Sequence, residues 1–418
     1  MKPIALSLLL VLSAVPARAD WPQWRGPQLT GFSPERNLPL RWSTTDNVAW
    51  SVDLPAHGAS TPVVAAGKVF LSVPEGDTVN LWCLDRRDGK LLWKRPVGSS
   101  VGHANQKHNM ASPSAVIDGR RVVAMTGSGA LKAFDLDGRE LWARDLPKEY
   151  GAFGLNWGYG SSPLLFEGGL YVQVLHGMKT DDPSYLLRLD PATGKNVWKV
   201  ERTTPAVRES PDSYTTPTPV RTGGKVEIVV TGGDVVTGHD PETGKELWRA
   251  GGLNPDGNPY YRIVASPVAV GDIVVAPTRV KPMLALRAGG RGDVTTTHRA
   301  WSYDQGPDVP TPATDGTYVY VVNDKGIVSV LEGKTGRVLY GPQRIALGTY
   351  SSSPTVADGK VYITNEEGLT TVLKAGPAFE VLAENSVGDF VLATPAVDGG
   401  QILLRTSKKL YCIGVPKR

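Results

Sequence analysis

The 418-residue sequence predicts an all-β fold: an eight-bladed β-propeller of four-stranded antiparallel blades, closed by an N-terminal strand that completes the last blade. Three observations predict it. A hydroxyl residue followed by proline recurs eight times, at Thr61-Pro62, Ser112-Pro113, Ser162-Pro163, Thr218-Pro219, Ser266-Pro267, Thr311-Pro312, Ser353-Pro354 and Thr394-Pro395. The period averages about 48 residues, inside the range of propeller repeats. Each proline opens a strand-turn-strand pattern, and no helical period interrupts it from residue 20 onward. The final repeat is one strand short, and the missing strand stands at the other end of the chain.

Within a repeat, the first apolar run ends in a glycine turn such as Ala66-Gly67-Lys68 or Asp358-Gly359-Lys360 and returns as a second run such as Val361-Tyr362-Ile363. A third run, Leu186 to Leu189 in one repeat, leads into Asp190-Pro191-Ala192-Thr193-Gly194-Lys195 and a fourth run ending at Trp198. Asp can bond its own following backbone and Gly takes the left-handed conformation that closes such a hairpin. Eight units of four antiparallel strands hide their sheet edges by closing into a ring. The last repeat stops at Leu410-Tyr411-Cys412-Ile413, whereas Trp50-Ser51-Val52-Asp53-Leu54-Pro55 matches the fourth strand Trp142-Ala143-Arg144-Asp145-Leu146-Pro147. Asn47 to Leu54 are therefore expected to complete blade eight. The expected organisation is a leader over 1–19, an N-terminal extension over 20–46 and one propeller over 47–418.

Met1-Lys2, the apolar stretch Ile4 to Val15 and Ala17-Arg18-Ala19 have the layout of a secretory signal peptide cleaved after Ala19, which predicts a periplasmic or secreted protein. No later window is long and apolar enough for a membrane span, and no Cys stands at the cleavage site to carry a lipid anchor. The formal net charge of +4 falls further when Lys2 and Arg18 leave with the leader, so no nucleic-acid footprint is expected. Cys83 and Cys412 are too few for a disulfide framework. They share the third-strand position of blades one and eight, where buried small hydrophobes are expected.

The tryptophans Trp50, Trp93, Trp142, Trp198, Trp248 and Trp301, several behind an Asp-x-x-Thr-Gly or related turn, resemble the docking motif of the PQQ-type propeller repeat, with Tyr340 and Leu382 in their place in later blades. The resemblance covers nearly all of the chain from residue 20, and Trp21-Pro22-Gln23-Trp24-Arg25-Gly26-Pro27 is similar to the start of exported propellers of this group. It implies that these tryptophans dock blade against blade. The family it points to includes quinoprotein alcohol dehydrogenases and the partner-binding, quinone-free BamB type. The dehydrogenases carry a vicinal cysteine pair and calcium ligands; Cys83 and Cys412 are not vicinal.

Strand direction places the turn after strand two and the inter-blade connections on one face, and the tight turns on the other. The first face carries the long, dissimilar segments, which is where recognition usually resides. Expected at the mouth of the central channel are His57, His103, His108, Asn109, Asn156, Trp157, Tyr159, Tyr214, Tyr261, Arg262 and Tyr350. No catalytic constellation, nucleophile elbow or zinc signature appears, so no catalytic residue, metal or cofactor is assigned. Arg291-Gly292-Asp293 reads as the third hairpin turn of blade five. The function expected is binding or scaffolding of a protein or envelope partner. The alternatives are a small quinoprotein oxidoreductase, with PQQ and calcium held near Asn109, Asn156 and Asp308, and a small-ligand or glycan-binding propeller.

Overall fold

Each apolar run that follows a hydroxyl residue is the innermost strand of a four-stranded antiparallel sheet. The computed structural model describes residues 20–279 and 281–415, and eight such sheets are formed among them, as an eight-bladed propeller. The leader lies outside the described residues. Blade one runs Val63–Ala65, Lys68–Glu75, Thr78–Asp85 and Leu91–Ser99; blades two to seven occupy 116–145, 164–201, 218–250, 268–303, 313–344 and 355–386. Blade eight takes Ala396–Asp398, Gln401–Arg405 and Lys409–Ile413 from the C-terminal end and Val48–Asp53 from the N-terminal end, which pairs antiparallel with Lys409–Ile413. The expected closure is the observed one.

The recurring hydroxyl has a structural role. Thr61, Ser114, Ser162, Thr216, Ser266, Thr311 and Ser353 each donate their backbone N–H to the hydroxyl of the equivalent residue in the next blade, over 2.9–3.2 Å. Seven junctions are thus tied around the channel by one repeated bond. Two positions differ from the sequence reading. Blade two uses Ser114 rather than Ser112, whose hydroxyl instead accepts from the Asn109 N–H; blade four uses Thr216-Pro217 rather than Thr218-Pro219. In both blades two hydroxyls stand two residues apart, and proline alone does not say which of them faces the axis.

Trp50, Trp93, Trp142, Trp198 and Trp301 each donate Nε1–H to a carbonyl in the third hairpin turn of the next blade, over 3.0–3.2 Å. The ring then lies on the turn glycine. A Cβ on Gly138 would sit 2.8 Å from Trp93, and one on Gly194 would sit 2.6 Å from Trp142; both glycines have positive φ. Trp248 departs from this pattern: it lies over Gly238 of its own blade and donates to the buried Glu227 carboxylate at 2.7 Å. Blade five has no tight turn to receive it. Residues 291–293 do not form that turn either, because Gly292–Asp293 adds to blade four as a parallel fifth strand beside Trp248–Arg249.

The junction of blades eight and one is built differently. Arg86 is buried and donates Nε–H to the Asp398 carboxylate and Nη2–H to its carbonyl, both at 2.7 Å. Arg405, also buried, donates Nη1–H to the Ser60 carbonyl and hydroxyl. One short helix interrupts the all-β pattern. Leu146–Tyr150 is capped by Asp145, whose side chain accepts from the Lys148 N–H, and carries a proline in its first turn.

Residues 20–33 line the inner edges of the blades. Trp21 and Val64 exchange backbone hydrogen bonds at 2.9 and 2.8 Å, the Pro22 carbonyl accepts from Ile117, and the Gln23 amide bonds both backbone groups of Leu165. The buried Arg25 donates to the carbonyls of Pro312 and Pro354, and Phe32–Ser33 pairs in parallel with Val356–Ala357. Inner edges of blades one, two, three, six and seven are thereby satisfied.

Three outcomes are expected. Deleting residues 20–56 removes the closing strand and abolishes the cooperative melting transition that the chain retaining them shows. Asp398→Ala strands the Arg86 charge and lowers stability by about 3–5 kcal/mol, measured by denaturant titration, whereas Arg86→Met combined with Asp398→Leu recovers most of the loss. His239 is buried, its ring nitrogens held against the Gly244 carbonyl and the Thr237 hydroxyl, and burial pushes its pKa down to about 4. Its folded pKa lies below the unfolded value of about 6.5, so its contribution is present above that value and lost as pH falls toward 4. The melting temperature of His239→Gln is expected to fall less between pH 7 and 4.5 than that of the parent chain.

Candidate functional site

A cavity of about 520 Å³ occupies the channel at the long-loop end. Its wall carries six hydroxyls of the inner ring, at Ser114, Ser162, Thr216, Thr311, Ser353 and Thr394, and Trp24 of the N-terminal segment also lines it. The channel is therefore a cup. Its rim is made by the inter-blade loops and by the turns after the second strands.

The loops are tied to one another as well as to their own blades. Asn109 donates to the His57 carbonyl at 2.8 Å, and Asn105 N–H to the Trp157 carbonyl at 3.2 Å. Trp157 donates its indole N–H to Glu209 at 2.7 Å and its backbone N–H to the Tyr214 hydroxyl at 3.2 Å. Tyr214 and Glu209 in turn donate backbone N–H groups to Ile263 and Pro259. Lys107 reaches across the cup to Glu366 at 2.8 Å, where Ser351 also donates. A continuous belt thus runs through the loops that follow blades eight to four, with a strut to blade seven.

Of the residues expected at the mouth, His108, Trp157, Tyr214 and Arg262 line the cup. His57 and His103 are exposed on the rim, with the His103 ring stacked 6.1 Å from Trp157. Tyr261 is half-buried in the loop after blade four. Asn109 and Asn156 hold loops: Asn156 donates its backbone N–H to the Asp212 carboxylate at 2.6 Å. Tyr159 and Tyr350 are corrections. Both are core side chains, their hydroxyls donating to the carbonyls of Gln173 and Ala346. An aromatic just ahead of an innermost strand can turn back into the blade, and the sequence carries no mark of which way it turns. The buried His176 accepts the Gly154 N–H on Nδ1.

The charged groups of the cup were mostly missed. Asp324 accepts the N–H groups of Asp308 and Val309 on its two oxygens, at 2.9 and 3.1 Å. Burial raises the pKa of both acids, and the Asp308 charge raises that of Asp324 further. Arg262 stands 3.7 Å from Glu209 and 3.9 Å from Asp308. Asp212, behind the wall, accepts from Asn156, Gly177 and Met178, and its burial moves its pKa up to about 6. Burial takes His108 down to about 4, so the ring is neutral at pH 7. A sequence signal existed for Asp324: the turn Asn323-Asp324-Lys325-Gly326 follows a second strand and so opens on the long-loop face.

Asn109, Asn156 and Asp308 are not assembled at one place, since Asp308 alone of the three lines the cup. Cys83 and Cys412 are buried in separate blades, with the Cys83 thiol pushed up to about 12 by burial and Cys412 Sγ accepting from Arg86. Among the described residues no group of three or more His, Cys, Asp or Glu is placed to hold a metal ion. The three groups expected around a calcium ion, Asn109, Asn156 and Asp308, therefore do not converge on one site.

Comparison with known proteins agrees with the fold. A segment of 151 residues is 29% identical to an outer membrane protein assembly factor BamB from Alkalilimnicola ehrlichii, covering 36% of this chain and 34% of that protein. A second relative, the quinohemoprotein alcohol dehydrogenase ADH-IIG of Pseudomonas putida, is 27% identical over 279 residues, which are 60% of this chain and 30% of that protein. The chain thus spans about a third of the length of these curated relatives. Among solved structures, BamB from Moraxella catarrhalis superposes with a TM-score of 0.60 at 15% identity, over 87% of this chain and 98% of its own. The quinohemoprotein alcohol dehydrogenase from Comamonas testosteroni gives 0.70 at 13% identity, over 96% and 81%. The family model described as outer membrane protein assembly factor BamB matches residues 40–152 and 131–294, more than half of the sequence, and the chain belongs to that family.

Proposed function

We propose that this protein is an exported propeller that recruits a protein or cell-envelope partner through its long-loop face. The observation that carries this reading is the belt of loop-to-loop hydrogen bonds. Loops already joined to one another lose little conformational freedom when a partner docks, so contact energy is not consumed in ordering them. The rim also presents His57, His103 and Tyr260, with Tyr260 49% exposed, and aromatic side chains of this kind dominate docking energetics. The family description, outer membrane protein assembly factor, is in keeping with an envelope partner. Export rests on the leader pattern over 1–19, and no helix among the described residues is long and apolar enough to cross a membrane.

A small quinoprotein oxidoreductase is the second reading, favoured by the 279-residue match to ADH-IIG and by a cup volume in the range of small-molecule sites. Native mass spectrometry of the protein purified gently from its own envelope fraction separates the two. The expected spectrum shows a stoichiometric protein partner that is lost when His57, His103 and Tyr260 are all changed to Ser, with the melting curve unchanged. A mass increment equal to a quinone plus calcium, without a protein partner, overturns the docking reading.

A further inference from the structure

The wall of the cup has more hydrogen-bonding capacity than the protein uses. Each of the six ring hydroxyls at Ser114, Ser162, Thr216, Thr311, Ser353 and Thr394 accepts an amide from the preceding blade, and none donates its own proton to a protein acceptor. A hydroxyl accepts and donates at once, so six donors around the axis are free. The Arg262 guanidinium makes no hydrogen bond, because its carboxylate neighbours at 3.7 and 3.9 Å are beyond hydrogen-bond reach. Unpartnered polar atoms stand in the same wall. Nε2 of the half-buried His108 has no partner, and neither has Oδ1 of Asp308; both residues line the cup. A neutral imidazole carries one donor and one acceptor nitrogen, so a ligand hydroxyl, which both donates and accepts, can answer Nε2 in either tautomer.

A ligand that answers all of these groups carries a carboxylate and several hydroxyls. The carboxylate takes the Arg262 fork, a pairing suited to guanidinium geometry. Its hydroxyls accept from the ring, donate to Asp308 and answer His108, and a C–H face lies against Trp24. A neutral sugar leaves Arg262 unanswered. A plain dicarboxylate has no hydroxyl proton for Asp308 and brings a second negative charge into a cup that already holds Asp308 and Asp324, and buried polar groups left unpaired are what a site of this kind rejects. We infer that the cup is a binding site for a small acidic sugar of the uronic-acid type, one or two units long. This site and the rim are separate surfaces, and the inference stands whether or not a protein docks above it.

Titration calorimetry of the purified protein at pH 7 with D-galacturonate, D-glucuronate, D-galactose and succinate tests it. At least one uronate is expected to bind, with D-galactose and succinate each weaker by about tenfold or more. Arg262→Gln is expected to bring the uronate down to the affinity of the neutral sugar and to leave that of the neutral sugar unchanged, with the melting temperature retained. Should Arg262→Gln not fold, Asp308→Asn serves in its place and is expected to weaken uronate and neutral sugar alike. Absence of binding by both uronates overturns the inference, as does succinate binding as tightly as a uronate, or uronate affinity that neither substitution moves.

Discussion

The innermost strand of a propeller blade has one edge bonded to its own sheet and the other facing the axis, where no strand of the same blade can pair with it. Backbone groups on that second edge need partners, and much of this structure follows from how they are found. Hydroxyl residues at the strand entrance accept the amide of the neighbouring blade, and a proline next to them removes an N–H that would otherwise face the channel. Further along the strands the N-terminal segment takes over, with Trp21, Pro22, Gln23, Arg25 and Phe32–Ser33 each meeting an inner edge. One requirement therefore accounts for the repeat in the sequence and for an irregular segment that does not share it. The same requirement leaves the cup lined with hydroxyls whose protons are unspent.

Two junctions break the regular pattern, and in both a charged group does what geometry alone does elsewhere. Between blades eight and one the two ends of the chain meet, the Thr61 hydroxyl has no partner, and Arg86 and Arg405 span the gap. Between blades four and five the hairpin that would receive Trp248 is replaced by 288–298, and Glu227 accepts the indole instead, with the Gly289 amide on the same oxygen. Burying charge is costly unless it meets a partner: Arg86 meets Asp398, Glu227 faces Arg291, and Arg405 is held by Ser60, so both junctions depend on specific partners rather than on apolar packing alone.

The sequence carried the architecture almost completely, since strand number, blade order and ring closure follow from spacing, and tryptophan docking from the resemblance to the PQQ-type repeat. It erred where spacing is degenerate: Ser112 against Ser114, Thr218 against Thr216, and the insertion at 291–293. The site was less legible. His108, Trp157, Tyr214 and Arg262 were placed on the right face by strand direction, but direction does not tell a side chain that lines the cup from one that turns into the core, as Tyr159 and Tyr350 do. Asp308, Asp324, Glu209 and Glu366 come from four different connections. Their association depends on how far each loop leans across the axis, and nothing in local sequence encodes that lean.

Ring closure also sets the order of events in folding. Val48–Asp53 leaves the ribosome among the first segments of the propeller, yet its pairing partner, Lys409–Ile413, is among the last. For nearly the whole of synthesis both segments present open strand edges, and an open edge is a template for association with other chains. A chain cut short anywhere in between holds one half of the clasp without the other. The clasp thus closes only once both of its strands exist, and an unfinished molecule keeps the open edge of whichever strand it already holds.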